Sequence, residues 1–239
     1  MRPLRIAVDM GLLIDMEVAE SCLAAHEPAE RAFCESLLSQ MIRLLLKQRL
    51  QEVEFYWLTD CSDSLFQALA LIFSHQRLEG HYSRFTNKME MIRCLDRCDV
   101  YFSQREPILS EARKRGIFGG YFPAELMKKN LLSIAFDHRI FMEDSNLQAL
   151  KSWLRLLGAL QKDRQYPIRV ALITTSSASV EKRVITLFQG SECRIQDVFY
   201  LSEGGKEELF RYYGPALYFE GGPRRQLSRP FQPGPLLFI

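Results

Sequence analysis

Short apolar runs alternate with longer stretches of helical period along most of this chain. Residues 6–8, 55–58, 100–102, 134–136, 170–173, 198–201 and 217–219 are runs too short for a buried helix and rich in β-branched and aromatic residues. They predict buried strands. Between them, residues 30–47 place Phe33, Leu37, Leu38, Met41, Leu44 and Leu45 on one helical face, and residues 147–160 do the same with Leu150, Trp153, Leu154, Leu157 and Leu160. Shorter helices are expected at 107–115, 179–188 and 206–213. Strands alternating with helices predict an α/β fold with a mostly parallel, doubly wound sheet. Ligands of such sheets sit outside the carboxyl ends of the strands, where Asp9, Thr59, Asp137 and Thr174 fall.

The pattern also occurs twice. Two apolar runs end at an aspartate, Asp9 and Asp137, and each is followed by a run ending in threonine, at Thr59 and Thr174. A lysine-led stretch comes next, at Lys88 and Lys206, and each half closes on a Tyr-Phe pair, Tyr101-Phe102 and Tyr218-Phe219. Four landmarks in one order predict two related halves, at residues 1–125 and 126–222, followed by a Pro/Gly/Arg-rich tail at 223–239 that packs through its last residues.

Composition narrows the function classes. The net charge of +2, with basic residues interleaved among acids, argues against a nucleic-acid partner. No apolar stretch approaches the roughly 20 residues of a membrane span, and the start of the chain leads into a strand. The six cysteines form no paired cluster. Cys94 and Cys98 share a helix face, but without a second cluster they read as free thiols in a reducing, cytoplasmic setting.

The second half carries the chemistry. Asp137 ends a buried strand, which displays its carboxylate at the sheet's crevice. Thr174 ends the next strand, and Thr175, Ser176 and Ser177 crowd a turn before a helix, a setting suited to phosphate. Lys206 follows Gly204-Gly205 and can neutralise phosphate charge, while Glu220 ends the last strand and can hold a hard cation together with Asp137. An aspartate nucleophile, hydroxyls, a lysine and a metal-binding acid suffice for phosphoryl transfer through an aspartyl-phosphate.

These residues resemble the motifs of the cytosolic 5′-nucleotidase I family. Residues 173–185 (Ile-Thr-Thr-Ser-Ser-Ala-Ser-Val-Glu-Lys-Arg-Val-Ile) are similar to its second motif, and 199–206 (Phe-Tyr-Leu-Ser-Glu-Gly-Gly-Lys) to its lysine motif. Residues 134–137 resemble its nucleophile strand and 218–220 its metal strand. The resemblance implies a haloacid-dehalogenase-like fold, magnesium, and nucleoside 5′-monophosphates as substrates. It casts Asp137 as nucleophile, Thr174, Thr175 and Lys206 as phosphate contacts, and Asp137 with Glu220 as metal ligands.

The departures from that family are specific. Its first motif reads Asp-Gly-Asp, the second aspartate being the general acid/base, whereas this chain reads Asp137-His138-Arg139. Its closing strand ends Asp-Asp, and this one ends Glu220-Gly221. His138, one residue after the nucleophile, is expected to point away from it. Loss of a general acid/base costs on the order of 100- to 10,000-fold in rate. Two classes stay open: a weak magnesium-dependent nucleotidase, and a catalytically silent relative that senses a nucleotide or serves a protein partner or oligomer.

Overall fold

The apolar runs assemble into one sheet. A computed structural model describes residues 2–47, 53–122, 132–142, 147–162, 168–174, 182–201, 209, 213 and 217–220. Nine strands are present among them: β1 (Leu4–Asp9), β2 (Val53–Thr59), β3 (His81–Arg84), β4 (Val100–Ser103), β5 (Phe118–Tyr121), β6 (Leu132–Asp137), β7 (Ile168–Thr174), β8 (Asp197–Tyr200) and β9 (Leu217–Phe219). Their order across the sheet is β3-β2-β1-β4-β5-β9-β6-β7-β8. Every neighbouring pair is parallel except β5 with β9, where Gly120 faces Phe219 and Tyr121 faces Tyr218. That single antiparallel seam divides the sheet into a first block (β1–β5) and a second block (β6–β9) whose strands run in opposite directions.

Helices cover both faces. Leu4, Ile6 and Val8 alternate with Ala7, as the pleat requires. The first set joins one core with residues of α2 (Leu37–Lys47), α3 (Asp63–His75), α6 (Leu147–Gln161) and α7 (Lys182–Ser191), continuous across both blocks. Ala7 lies on the other face with Leu58, Tyr101 and residues of α4 (Lys88–Leu95) and α5 (Glu106–Lys114). A separate cluster of Ala135, Ala171, Ile173 and Tyr218 covers the second block there. The remaining helix, α1 (Met16–Ala24), buries only Ala19 and Cys22.

The seam is narrow because β5 reads Phe-Gly-Gly-Tyr. A Cβ on Gly120 would lie 2.7 Å from Leu217 Cδ1 and 2.8 Å from Phe102 Cδ1. Phe102 and Phe219, on strands flanking β5, are thus 6.2 Å apart between ring centroids, and Trp153 of α6 packs on both at 5.6 and 5.9 Å. Phe136 stacks on Phe219 at 4.9 Å.

The strand expectations hold within a few residues, and the helix at 147–160 is observed as α6. Three differences are informative. The helix expected from residue 30 begins at Leu37, because Ser36 and Ser39 exchange side-chain-to-backbone hydrogen bonds (2.9 and 3.2 Å) that cap it there. Strands β3 and β5 were not expected: the first is short and polar, and the second has two glycines where a strand signal needs bulk. Helix α7 runs to Ser191, past the expected residue 188. Most of the helix expected at 206–213 and the whole 223–239 tail lie outside the described residues.

Candidate functional site

In a parallel block, the crevice for a ligand opens where the strand order reverses. In the second block that point lies between β6 and β9, and the residues displayed there are Asp137 and Glu220. Both are buried, with exposures of 1% and 7%. β6 ends in a tight turn at His138–Phe141, and Asp137 Oδ1 accepts the backbone N–H of Arg139 at 3.0 Å to start it. This turn folds the Arg139 side chain back over its own strand end.

The result is a carboxylate gripped on both oxygens. Arg139 Nε donates to Asp137 Oδ1 at 2.9 Å and Nη2 donates to Oδ2 at 2.6 Å. Tyr218 Oη donates to the same Oδ2 at 3.3 Å. Arg139 Nη2 also lies 3.6 Å from Glu220 Oε1, so one guanidinium serves two buried acids. Its hydrogen bonds to Asp137 hold it above the usual arginine range despite partial burial. Burial raises the Tyr218 phenol well above its usual range, and the charges of Asp137 and Glu220 add to this. His138 Nδ1 approaches Asp137 Oδ1 to 3.5 Å rather than pointing away, because the tight turn curls the ring back.

Thr174 ends β7, buried, beside the β6 strand end. Asp137, Thr174 and Glu220 are therefore brought to one edge of the block. Thr175 and Lys206 lie outside the described residues. Sequence reasoning missed Tyr218 as a partner of Asp137, although the Tyr-Phe pair closing each half marked its position.

The first block builds a similar crevice between β1 and β4, facing the opposite edge. Asp9 also starts a tight turn, accepting the Gly11 N–H at 3.2 Å. Here the guanidinium comes from Arg105, beyond the end of β4. Its Nε donates to Asp9 Oδ2 at 2.8 Å and its Nη1 to Asp60 Oδ2 at 2.5 Å, while Ser103 Oγ donates to Asp9 Oδ2 at 3.0 Å. The Phe85 ring lies 5.7 Å beneath the guanidinium. A cavity of about 380 Å³, lined in part by Asp60, Phe85, Lys88, Ile108 and Glu111, opens alongside. Sequence reasoning missed Arg105 too. Its signal was only its place two residues after a strand-end serine.

Burial pushes the Asp9 carboxyl upward, and Arg105, Ser103 and the Gly11 N–H pull it back only in part. A raised carboxyl favours folding at pH values below its unfolded value of about 3.9 and loses that contribution as pH rises through the folded value. Arg105→Ala removes the strongest opposing charge and raises Asp9 further. The variant is expected to lose on the order of 1–3 kcal/mol at neutral pH, and the deficit should shrink as acid neutralises Asp9. Urea denaturation of both proteins at pH 7.5 and pH 4.5 checks this; a deficit equal at both would show that Arg105 does not act on the ionised carboxylate.

Comparison with known proteins bears on the second block. The family described as 5′-nucleotidase matches residues 124–226, the stretch that contains β6 to β9. The second block is similar to the 5′-nucleotidase family over that stretch. Asp137, Thr174, Thr175, Lys206 and Glu220 all fall inside the matched stretch, and Asp9 and Arg105 fall outside it. No curated protein matches the chain. Among solved structures, a short chain dehydrogenase from Salmonella enterica subsp. enterica serovar Typhi str. CT18 is 10% identical, with 83% of this chain and 96% of that chain covered and a TM-score of 0.24. A short-chain dehydrogenase/reductase from Serratia marcescens BCRC 10948 is 6% identical, with 85% and 98% covered and a TM-score of 0.28. Neither carries an argument about this chain at those scores.

The magnesium expected from the sequence motifs can be tested against the geometry. Its candidate ligands are Asp137 and Glu220, and the group already between them is the Arg139 guanidinium, at 2.6 and 3.6 Å. No cluster of three or more His, Cys, Asp or Glu side chains able to hold a metal is found among the described residues. As arranged, these side chains do not fit a divalent cation.

Proposed function

We propose that the second block binds a nucleoside 5′-monophosphate, or phosphate itself, at the carboxyl edge of β6 and β7, and hydrolyses it very slowly or not at all. The family match supports the ligand class. The observation that carries the loss of rate is the two-oxygen grip of Arg139 on Asp137. A carboxylate that accepts guanidinium N–H groups on both oxygens is a poor nucleophile toward phosphorus. The leaving nucleoside oxygen also needs a proton, and arginine, with a pKa above about 12, does not supply one. We assign Thr174, Thr175 and Lys206 to the phosphate oxygens, in a fold of haloacid-dehalogenase-like type.

We read the two blocks as related halves. The in-sheet orders β3-β2-β1-β4 and β8-β7-β6-β9 correspond, and each first strand ends in an aspartate that begins a tight turn. The setting we assign is cytoplasmic. The described residues contain six free cysteines, and burial raises the Cys98 and Cys193 thiols to about 12. No helix among the described residues is long and apolar enough to cross a membrane.

The test is phosphate release from a panel of nucleoside monophosphates with magnesium, beside thermal shifts with the same compounds. Stabilisation without measurable release is expected. Arg139→Asp combined with Gly221→Asp should raise release at least about tenfold, and Lys206→Ala should weaken nucleotide binding at low salt. Rapid wild-type turnover that disappears in Asp137→Asn would refute the reading of lost chemistry.

A further inference from the structure

Two buried carboxylates in one crevice need positive charge nearby, since removal from water makes each costly unless it is paired. In the second block that charge is already covalently part of the chain. We infer that the Arg139 guanidinium is the resident cation of this crevice, standing where a divalent ion would bridge Asp137 and Glu220, so that the wild-type protein takes up no divalent ion there. This rests on the reading of the second block as a phosphate-binding site and adds how its acids are neutralised.

The geometry argues for replacement rather than coexistence. A magnesium ion sits about 2.1 Å from each oxygen ligand, and Arg139 Nη2 already lies 2.6 Å from Asp137 Oδ2 and faces Glu220 Oε1 at 3.6 Å. A dication entering that gap would meet a fixed positive charge at close range. The arginine is also held by the backbone, because its own N–H closes the turn on Asp137 Oδ1. Nη1 hydrogen-bonds none of the described residues, and the side chain is 39% exposed. One donor edge is therefore left to meet an oxyanion without a metal between them.

The first block reaches the same arrangement from a different place in the sequence. Gly11 occupies the turn position that Arg139 holds in the second block, and it has no side chain to fold back. Arg105 arrives instead from beyond β4 and bridges Asp9 and Asp60. Two acids and one guanidinium thus recur in both crevices, built from unrelated segments. An incidental surface ion pair does not account for that.

The experiment measures Mn²⁺ binding by the electron paramagnetic resonance of the free ion, for the wild type, Arg139→Asp, Arg139→Gln and the double variant Arg139→Asp/Asp137→Asn. Circular dichroism confirms that each is folded. The wild type is expected to show no saturable site at millimolar Mn²⁺. Arg139→Asp, which adds a third carboxylate, is expected to bind Mn²⁺ at least about tenfold more tightly than the wild type, and the double variant to lose most of that gain. Should Arg139→Asp not fold, Arg139→Gln, which removes the charge and keeps an amide donor, is expected to show a smaller gain in its place. A wild-type Mn²⁺ site lost in Asp137→Asn overturns the inference, as does a folded Arg139→Asp or Arg139→Gln without any gain. Thermal shifts with adenosine 5′-monophosphate, with and without EDTA, separate the two readings. Nucleotide binding abolished by EDTA overturns the resident cation and leaves the proposed function standing. No nucleotide binding in either condition, with the Mn²⁺ results as expected, removes the proposed function and upholds the resident cation.

Discussion

Trp153→Ala is expected to lower the stability of this protein by about 3–5 kcal/mol, the range for deleting a fully buried large aromatic. Trp153 is 1% exposed and packs against Phe102 of the first block and Phe219 of the second. Its removal opens a cavity at the seam, where the glycines of β5 supply no side chain to collapse into the space. The surrounding rings stand on strands, so relaxation is limited and the cavity term stays large. The indole Nε1 is buried and makes no hydrogen bond to the described residues. Trp153→Phe should therefore cost far less, about 1 kcal/mol, since it discards an unpaired donor along with part of the volume. Guanidinium denaturation followed by circular dichroism checks both. Equal losses in the two variants would mean that ring packing is not what Trp153 contributes.

Gly158→Ala is expected to destabilise by roughly 1–3 kcal/mol, against the usual rule that alanine improves a helix interior by about 1 kcal/mol. The reason is what stands opposite. A Cβ on Gly158 would lie 2.6 Å from the Ser191 carbonyl oxygen and 2.9 Å from the Cys193 nitrogen. Both are backbone atoms, so no side chain can rotate away, and α6 must separate from the end of α7. Gly190 provides the control: nothing lies within 4 Å of a Cβ built there, within α7. Gly190→Ala should be neutral or slightly stabilising by the same assay. If both alanines stabilise, the close approach of the two helices does not hold in solution.

The strands were legible where burial leaves a run of apolar residues, as in β1, β2, β6 and β7. They were illegible where packing and pairing override composition. β5 is a strand because Phe118 and Tyr121 bracket two glycines that let neighbouring rings meet across it, and no propensity predicts that. Helices α3 and α4 were readable in principle, through the caps Ser62 and Asn87 accepting the N–H groups of Leu65 and Glu90. Of the site, the aspartates and threonines at strand ends followed from the alternation of elements. The arginines did not, because each grip depends on a side chain turning back across a loop. Arg139 was visible as a departure from a motif; that it would hold both oxygens of Asp137 was not.

The antiparallel seam ties the fates of Asp9 and Asp137. Tyr121 of β5 pairs on one side with Ser103, whose hydroxyl holds Asp9, and on the other with Tyr218, whose hydroxyl holds Asp137. The mouths of the two crevices face away from each other, yet the residues whose hydroxyls anchor their acids sit in a single cross-strand row, one step to either side of one residue. A one-residue slip of β5 would send every side chain of that strand to the opposite face and shift both anchoring strands against it together. Tyr121 is a keystone shared by two sites that never touch.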